Sequence, residues 1–265
     1  MRFRITLRIN AQQFGRRLPI NYQYEMSAAI YKILSSADSG FATWLHQNGF
    51  QMDNGKQFKL FTFSRLQIPK NGFTIIKQSN QLELKSQTVD FQISFMPENS
   101  TQTFIGGVFE NRTFEIGRKG AIVQFEVESI ELIQPPEFKE TMMYHTLSPI
   151  SVSCHDEQGR DRYPQTPQEF KDAEWIRERM LQNLIDKFSA FYGKEYSGEK
   201  FLKYLTLSEP KSSLIAIKAG TPAETKVRGF MCQLALNAPS ELQRIAYESG
   251  LGELNSQGFG CLEIM

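Results

Sequence analysis

The sequence is short of histidine, of cysteine pairs and of an excess of either charge. In 265 residues only His46, His145 and His155 are histidines, so proton transfer near neutral pH has few ordinary carriers. The cysteines, Cys154, Cys232 and Cys261, are odd in number, far apart and without a Cys-x-x-Cys pair. That spacing argues against a disulfide framework and against a zinc site, and leaves them as packing residues. Asp38, Asp53 and Asp90 make no recognisable cluster of carboxylates of the kind that metal-assisted hydrolysis needs, and no cofactor is expected. No apolar run is long enough to span a bilayer, and the charged opening Met1–Asn10 contains no signal-peptide core, so a cytoplasmic protein without a membrane partner is expected. The net charge of +1 weighs against a uniformly basic nucleic-acid binder, and only local clusters of Lys and Arg leave that function open.

What is present suits a folded core: 40% of residues are hydrophobic, enough for one large domain or two small ones. Phe3, Ile5, Leu7 and Ile9 alternate with Arg2, Arg4, Thr6 and Arg8, which predicts a half-buried strand with a basic second face. Met26, Ile30, Ile33 and Ala37 recur at helical spacing, with Tyr31 beside the stripe. A second helix is predicted from about Ser39 to Asn48, capped by Asp38 or Ser39 and stopped by Gly49, with His46 in its last turn. Lys59 opens a strand reaching about Leu66; a hairpin (73–76 and 82–85), a strand over 89–95, a helix near 100–109 and a strand over 121–133 complete this half.

Pro135-Pro136 marks a boundary, dividing the chain into residues 1–134 and 138–265. The second half predicts a strand over 146–153, a long helix over 166–192 starting Thr-Pro-Gln-Glu, strands at 201–207, 214–218 and 226–236, and a helix over 240–249. A final strand is predicted over 258–265. Each half therefore reads β-α-β-β-α-β, the first once its hairpin is set aside and the second with one further strand.

Gly250, Gly252, Gly258 and Gly260 bracket the loop before the last strand, with Asn255 between the pairs and Leu251 and Phe259 as anchors. Such a loop can offer bare N–H groups to an anion, or simply turn the chain tightly. A dinucleotide or P-loop site is excluded by order: those need strand, glycines, then helix, and here the helix comes first.

The Gly-x-Gly-x-x-x-x-x-Gly-x-Gly loop in this helix-loop-strand setting resembles the RAMP superfamily of CRISPR systems, and within it the sixth Cas family, endoribonucleases that cut precursor CRISPR RNA. Ile30-Tyr31, Phe41 to His46, Lys59 to Ser64, the opening Met-Arg-Phe and Thr146-Leu-Ser-Pro-Ile150 extend the resemblance over essentially the whole chain. It implies an α+β fold of two tandem ferredoxin-like (RRM-like, βαββαβ) modules with a C-terminal glycine-rich loop, the catalytic residues in the first module and the RNA-binding loop in the second. It also implies a catalytic set of Tyr31, His46 and Lys59, and CRISPR repeat RNA as partner, with effector-complex subunits or a second copy as further partners.

Those residue types suit the chemistry. RNA carries its own nucleophile, the ribose 2′-OH, so the protein must supply a base, an acid and positive charge, and no metal is strictly required. Tyr31 and His46 can orient or move protons, and Lys59 can meet charge on the nonbridging oxygens. The expected products are a 2′,3′-cyclic phosphate (or 3′-phosphate) and a 5′-hydroxyl. For RNA binding the candidates are Arg2, Arg4 and Arg8 on the first strand, Lys218, Lys226 and Arg228 near the loop, and the loop residues Gly250, Gly252, Asn255, Gly258 and Gly260. A noncatalytic RAMP-type RNA-binding subunit of an effector complex is the alternative, and a metabolic enzyme holding a phosphorylated small molecule is a more distant one.

Overall fold

The computed structural model describes residues 1–265. Strand β1 (Arg2–Asn10) realises the opening alternation, because Phe3, Ile5, Leu7 and Ile9 enter one core with Met26, Ile30, Ile33 and Leu34 of helix α1 (Gln23–Ala37). Helix α2 (Ser39–Gln47) follows at once. Strands β2 (Phe61–Phe63) and β3 (Thr88–Phe95), helix α3 (Glu98–Glu110), and strands β4 (Thr113–Arg118) and β5 (Ala121–Ile133) complete the first half. Its sheet runs β2-β3-β1-β5-β4, antiparallel at every pairing. Without the edge strand β4, this is the arrangement of a βαββαβ ferredoxin-like module.

The second half repeats it with strands β6 (Thr141–Thr146), β7 (Lys203–Thr206), β10 (Gln233–Asn237) and β11 (Leu262–Ile264) in the order β7-β10-β6-β11. Helices α4 (Pro167–Asp172), α5 (Glu174–Tyr192) and α6 (Ser240–Ser249) belong to this half. Ile176, Met180, Leu184 and Phe188 of α5 share a second core with Leu242, Ile245 and Ala246 of α6. Strands β8 (Lys211–Ile217) and β9 (Thr225–Met231) form a separate two-stranded hairpin between β7 and β10. No helix is long and apolar enough to cross a membrane.

Several elements differ from their predicted form. The single helix expected over 166–192 is broken at Ala173, whose extended φ −69, ψ 123 ends α4 and starts α5. Thr166 caps α4 by accepting the Glu169 N–H, but the Glu169 carboxylate reaches Gln165 N–H rather than closing a capping box. The strand expected over 146–153 lies earlier, at β6. Ile150 and Val152 are buried all the same, because the segment threads past β9, where Ile150 and Phe230 exchange both backbone hydrogen bonds. The run 226–236 is split between β9 and β10, and β4 has no counterpart in the prediction. The last strand is only β11, since Gly258, Phe259 and Gly260 belong to the loop.

Candidate active site

Helices α1 and α2 and the segment before β2 meet at one corner of the first module. Asp38 ends α1 and caps α2, its carboxylate accepting the Phe41 N–H at 2.8 Å, and this tight joint sets the two helices side by side. The consequence is a contact between their side chains: the rings of Tyr31 and His46 lie edge to face, centroids 5.1 Å apart at 82°. Phe61 of β2 closes the other side of Tyr31 at 5.8 Å. Burial pushes the Tyr31 phenol above its usual range, with the Ser256 side chain at its hydroxyl acting the other way. At neutral pH this phenol holds its proton, whereas His46 stands exposed in the last turn of α2.

Lys59 approaches from the far end of α2. That helix stops at Gly49, which has φ +62 and leaves no room for a side chain: a Cβ there would sit 2.5 Å from Phe58 O and 3.2 Å from Lys59 Nζ. The Lys59 amine is enclosed and has no hydrogen-bond partner. Burial accordingly lowers its pKa. Thus the structure brings Tyr31, His46 and Lys59 to one end of one helix. An incoming phosphate would be the missing partner of the amine.

Beside Lys59 a cleft of ≈ 360 Å³ runs between the modules, lined by Lys56 and Lys59 of the first and by Arg179, Asn183, Lys187 and residues 253–257 of the second. No group of three His, Cys, Asp or Glu side chains converges in the chain. Sequence reasoning passed over Lys187, although a lysine amid Leu184, Phe188 and other apolar positions of α5 was a visible signal. Its side chain is 2% exposed, and Nζ donates to Gly250 O at 2.7 Å, Gly252 O at 3.1 Å and Asn255 Oδ1 at 2.7 Å. Burial, reinforced by nearby Lys56 and opposed by Glu253, lowers its pKa from the usual 10.5 to about 7.

A stability prediction follows from that shift. Above pH about 7 the folded chain gives up the Lys187 proton while the unfolded chain keeps it up to about 10.5. The unfolded state then binds more protons, so this group's contribution to stability rises with pH through that window and falls away below it. Thermal melts from pH 6.5 to 9 should show the wild type gaining stability relative to Lys187→Met as pH rises. Parallel curves would contradict the shift.

The glycine-rich loop is not the open anion cradle considered above. Gly250, Gly252, Gly258 and Gly260 are all buried, and three of their N–H groups are used internally: Gly250 donates to Ala246 O, Gly258 to Asn255 O and Gly260 to Pro149 O. Asn255 is buried too, accepting from Lys187 and donating to Phe259 O at 3.1 Å. The loop instead joins the modules. Gly258 passes against Gln23 and Phe63, Ser27 Oγ donates to Ser256 O at 2.6 Å, and Thr62 Oγ1 donates to Phe259 O at 3.1 Å. The Phe259 side chain is fully buried, a contribution of about 1.5–3 kcal/mol to holding the loop in place.

The basic candidates divide. Arg2, expected on an open basic face, is 2% exposed; its guanidinium donates to the Leu262 and Tyr247 carbonyls and stacks 3.7 Å over the Tyr247 ring. It acts as a bolt between the modules, because β1 begins beside α6 and β11 of the second. Arg4 and Arg8 are exposed but face carboxylates, Arg4 at 4.0 Å from both Glu131 and Glu263 and Arg8 at 3.2 Å from Glu126. Lys218 and Lys226 are exposed on the β8–β9 hairpin, and Arg228, half-buried beside them, donates to Ser212 Oγ at 2.9 Å. Of the other histidines, His145 pairs with Glu263 at 2.9 Å and His155 with Asp161 at 3.3 Å.

Comparison with known proteins adds an independent observation. Residues 17–130 match the family model described as CRISPR-associated protein Cas6, N-terminal, and residues 133–264 the one described as CRISPR associated protein Cas6, C-terminal. The chain is 28% identical over 261 residues to CRISPR-associated endoribonuclease Cas6 1 of Methanocaldococcus jannaschii, covering 98% of this chain and 91% of that one. It is 24% identical over 254 residues to a putative CRISPR-associated endoribonuclease-like protein Cas6nc of Pyrococcus horikoshii, covering 94% and 93% of the two chains. A solved structure from work on a Cas6-related gene of Pyrococcus furiosus superposes with a TM-score of 0.80 at 22% identity, covering 100% of this chain and 98% of that one.

Proposed function

The chain belongs to the CRISPR-associated Cas6 family, and from that premise we propose that it is an endoribonuclease that cuts precursor CRISPR RNA within the repeats, using Tyr31, His46 and Lys59. The observation that carries the assignment of residues is their meeting at one end of α2, where a proton carrier packs on a protonated phenol and an unpartnered amine lines the neighbouring cleft. The reaction is transesterification: the ribose 2′-oxygen bonds to the adjacent phosphorus and the bond from phosphorus to the 5′-oxygen breaks. One proton must leave the 2′-hydroxyl and one must reach the 5′-oxygen.

Exposed His46 is the group suited to carry both, taking the proton that leaves the 2′-hydroxyl and delivering it to the departing 5′-oxygen. Tyr31, its pKa raised by burial, acts as a hydrogen-bond donor that orients the phosphate. Lys59 supplies charge where it builds on the nonbridging oxygens, and it costs little reorganisation because nothing else holds its amine. Since these groups complete the proton and charge requirements, no metal ion enters the step.

For the RNA path the hairpin residues Lys218, Lys226 and Arg228 are the accessible candidates, with Arg4 and Arg8 exchanging carboxylates for phosphates. Pairing with effector-complex subunits or with a second copy is a further part of this reading.

The test is incubation of end-labelled CRISPR repeat RNA with the protein in excess EDTA. A single internal cut leaving a 2′,3′-cyclic phosphate (or 3′-phosphate) and a 5′-hydroxyl is expected. Activity lost with chelator, or 5′-phosphate products, would defeat the mechanism.

A further inference from the structure

Lys187 has no part in the chemistry above, yet it is the most deeply enclosed cation bordering the cleft. In its protonated form the Lys187 amine has three N–H bonds, and each meets an acceptor: two carbonyls of the glycine-rich loop, Gly250 and Gly252, and the side-chain oxygen of Asn255. These acceptors belong to the start of the loop and to its short 3₁₀ turn, Asn255–Gln257. A single amine thus draws two stretches of the loop onto helix α5. The amide of Asn255 extends the tie by donating to Phe259 O. What lies beyond the tie is Ser256, whose backbone carbonyl accepts from Ser27 of α1, one helical turn before Tyr31.

We propose that Lys187 is a positioning residue for RNA cleavage: by pinning the glycine-rich loop to α5 through Gly250, Gly252 and Asn255, it holds the Ser256 carbonyl against Ser27 of α1 and so fixes the turn of that helix that aims the Tyr31 phenol at the phosphate. The proposal rests on the endoribonuclease reading for its consequence, though the geometry it describes is independent of that reading. It gives the buried loop a role in the reaction as a strut between the second module and a catalytic side chain of the first. Lys59, near the same cleft, cannot share that role, because its amine has no partner.

The experiment places 3-fluorotyrosine at position 31 and follows its ¹⁹F resonance together with single-turnover cleavage and binding of an end-labelled CRISPR repeat RNA. In folded Lys187→Met the resonance should move and the cleavage rate should fall by about ten- to a hundredfold, the effect of an ångström-scale misplacement, while RNA affinity holds. Ser27→Ala keeps the strut and removes only its hydrogen bond to α1; it should move the resonance and slow cleavage in the same direction. Lys171→Met, on the outer end of α4, is the control and should change neither. An unmoved resonance with an unchanged rate in folded Lys187→Met overturns the proposal, as does a rate loss matched by an equal affinity loss. Should Lys187→Met fail to fold, Ser27→Ala decides alone: an unchanged resonance and rate overturn the proposal. A wild type that leaves the RNA uncut would count against the endoribonuclease reading, and the resonance would still decide the contact.

Discussion

Replacing His46 by alanine is expected to lower the single-turnover rate of repeat-RNA cleavage by roughly 10²- to 10⁴-fold, the range for loss of a general acid or base, with little change in RNA affinity. The split follows from where the side chain sits. His46 is exposed at the end of α2 with its ring in T-shaped contact with Tyr31, so removing it opens no cavity and breaks no buried hydrogen bond. What is lost is proton transfer in the transition state, and an interaction made only there lowers the rate without weakening the ground-state complex. Lys59→Ala should act in the same sense by about 10²- to 10³-fold, the scale for one preorganised charge-stabilising donor. Because its buried amine is unpaired in the free protein, the alanine variant should be no less stable than the wild type. A His46→Ala protein that bound RNA poorly and cleaved normally once saturated would reverse the assignment.

The second large effect concerns the fold. Gly260→Val should destabilise the chain on the order of 4 kcal/mol, taking about 1–3 for a side chain held at positive φ and a similar amount for overpacking. At Gly260 φ is +70, and a Cβ would lie 2.0 Å from Leu251 O and 2.6 Å from Asn255 Nδ2. Neither can yield cheaply. Leu251 and Gly260 are joined by a backbone hydrogen bond of 2.9 Å, and Gly260 N–H is held by Pro149 O at 2.8 Å. A fall in melting temperature on the order of 10 °C is expected for a chain of this size. Gly120→Val is the control, since that turn has open space around it and meets only the backbone strain. Equal losses in the two variants would show that the close approach is not what the loop requires.

Much of this was legible before any coordinates. The alternation of β1, the helical stripe of α1 and the Asp38 to Gly49 frame of α2 are local signals, and each half's element order agreed with the ferredoxin-like arrangement that the family resemblance implied. The meeting of Tyr31, His46 and Lys59 was reached through family resemblance, because no local pattern tells that two helices and a strand end will converge. What failed did so for nonlocal reasons. The alternation that buries Ile5 and Leu7 leaves the second face of β1 undetermined: Arg8 is exposed, but Arg2 lies where the modules join and is enclosed by carbonyls. Glycines at positive φ suit an open anion loop and a close crossing of backbones equally well, and only the neighbours Pro149, Ser151 and Phe63 decide for the crossing. Lys187 shows the reverse case, a charge on a buried helix face that periodicity alone treats as an exception, and here it ties the loop down.

The most direct test of the account is a single 2′-deoxy substitution at the cut site of a CRISPR repeat RNA. With the 2′-oxygen as nucleophile, the wild-type protein should bind this RNA as tightly as the all-ribose form and leave it intact, while cutting the all-ribose RNA in the same buffer. Cleavage of the deoxy-substituted bond would contradict the mechanism outright, and tight binding of the all-ribose RNA with no cleavage would mark the chain as an RNA-binding subunit without catalysis.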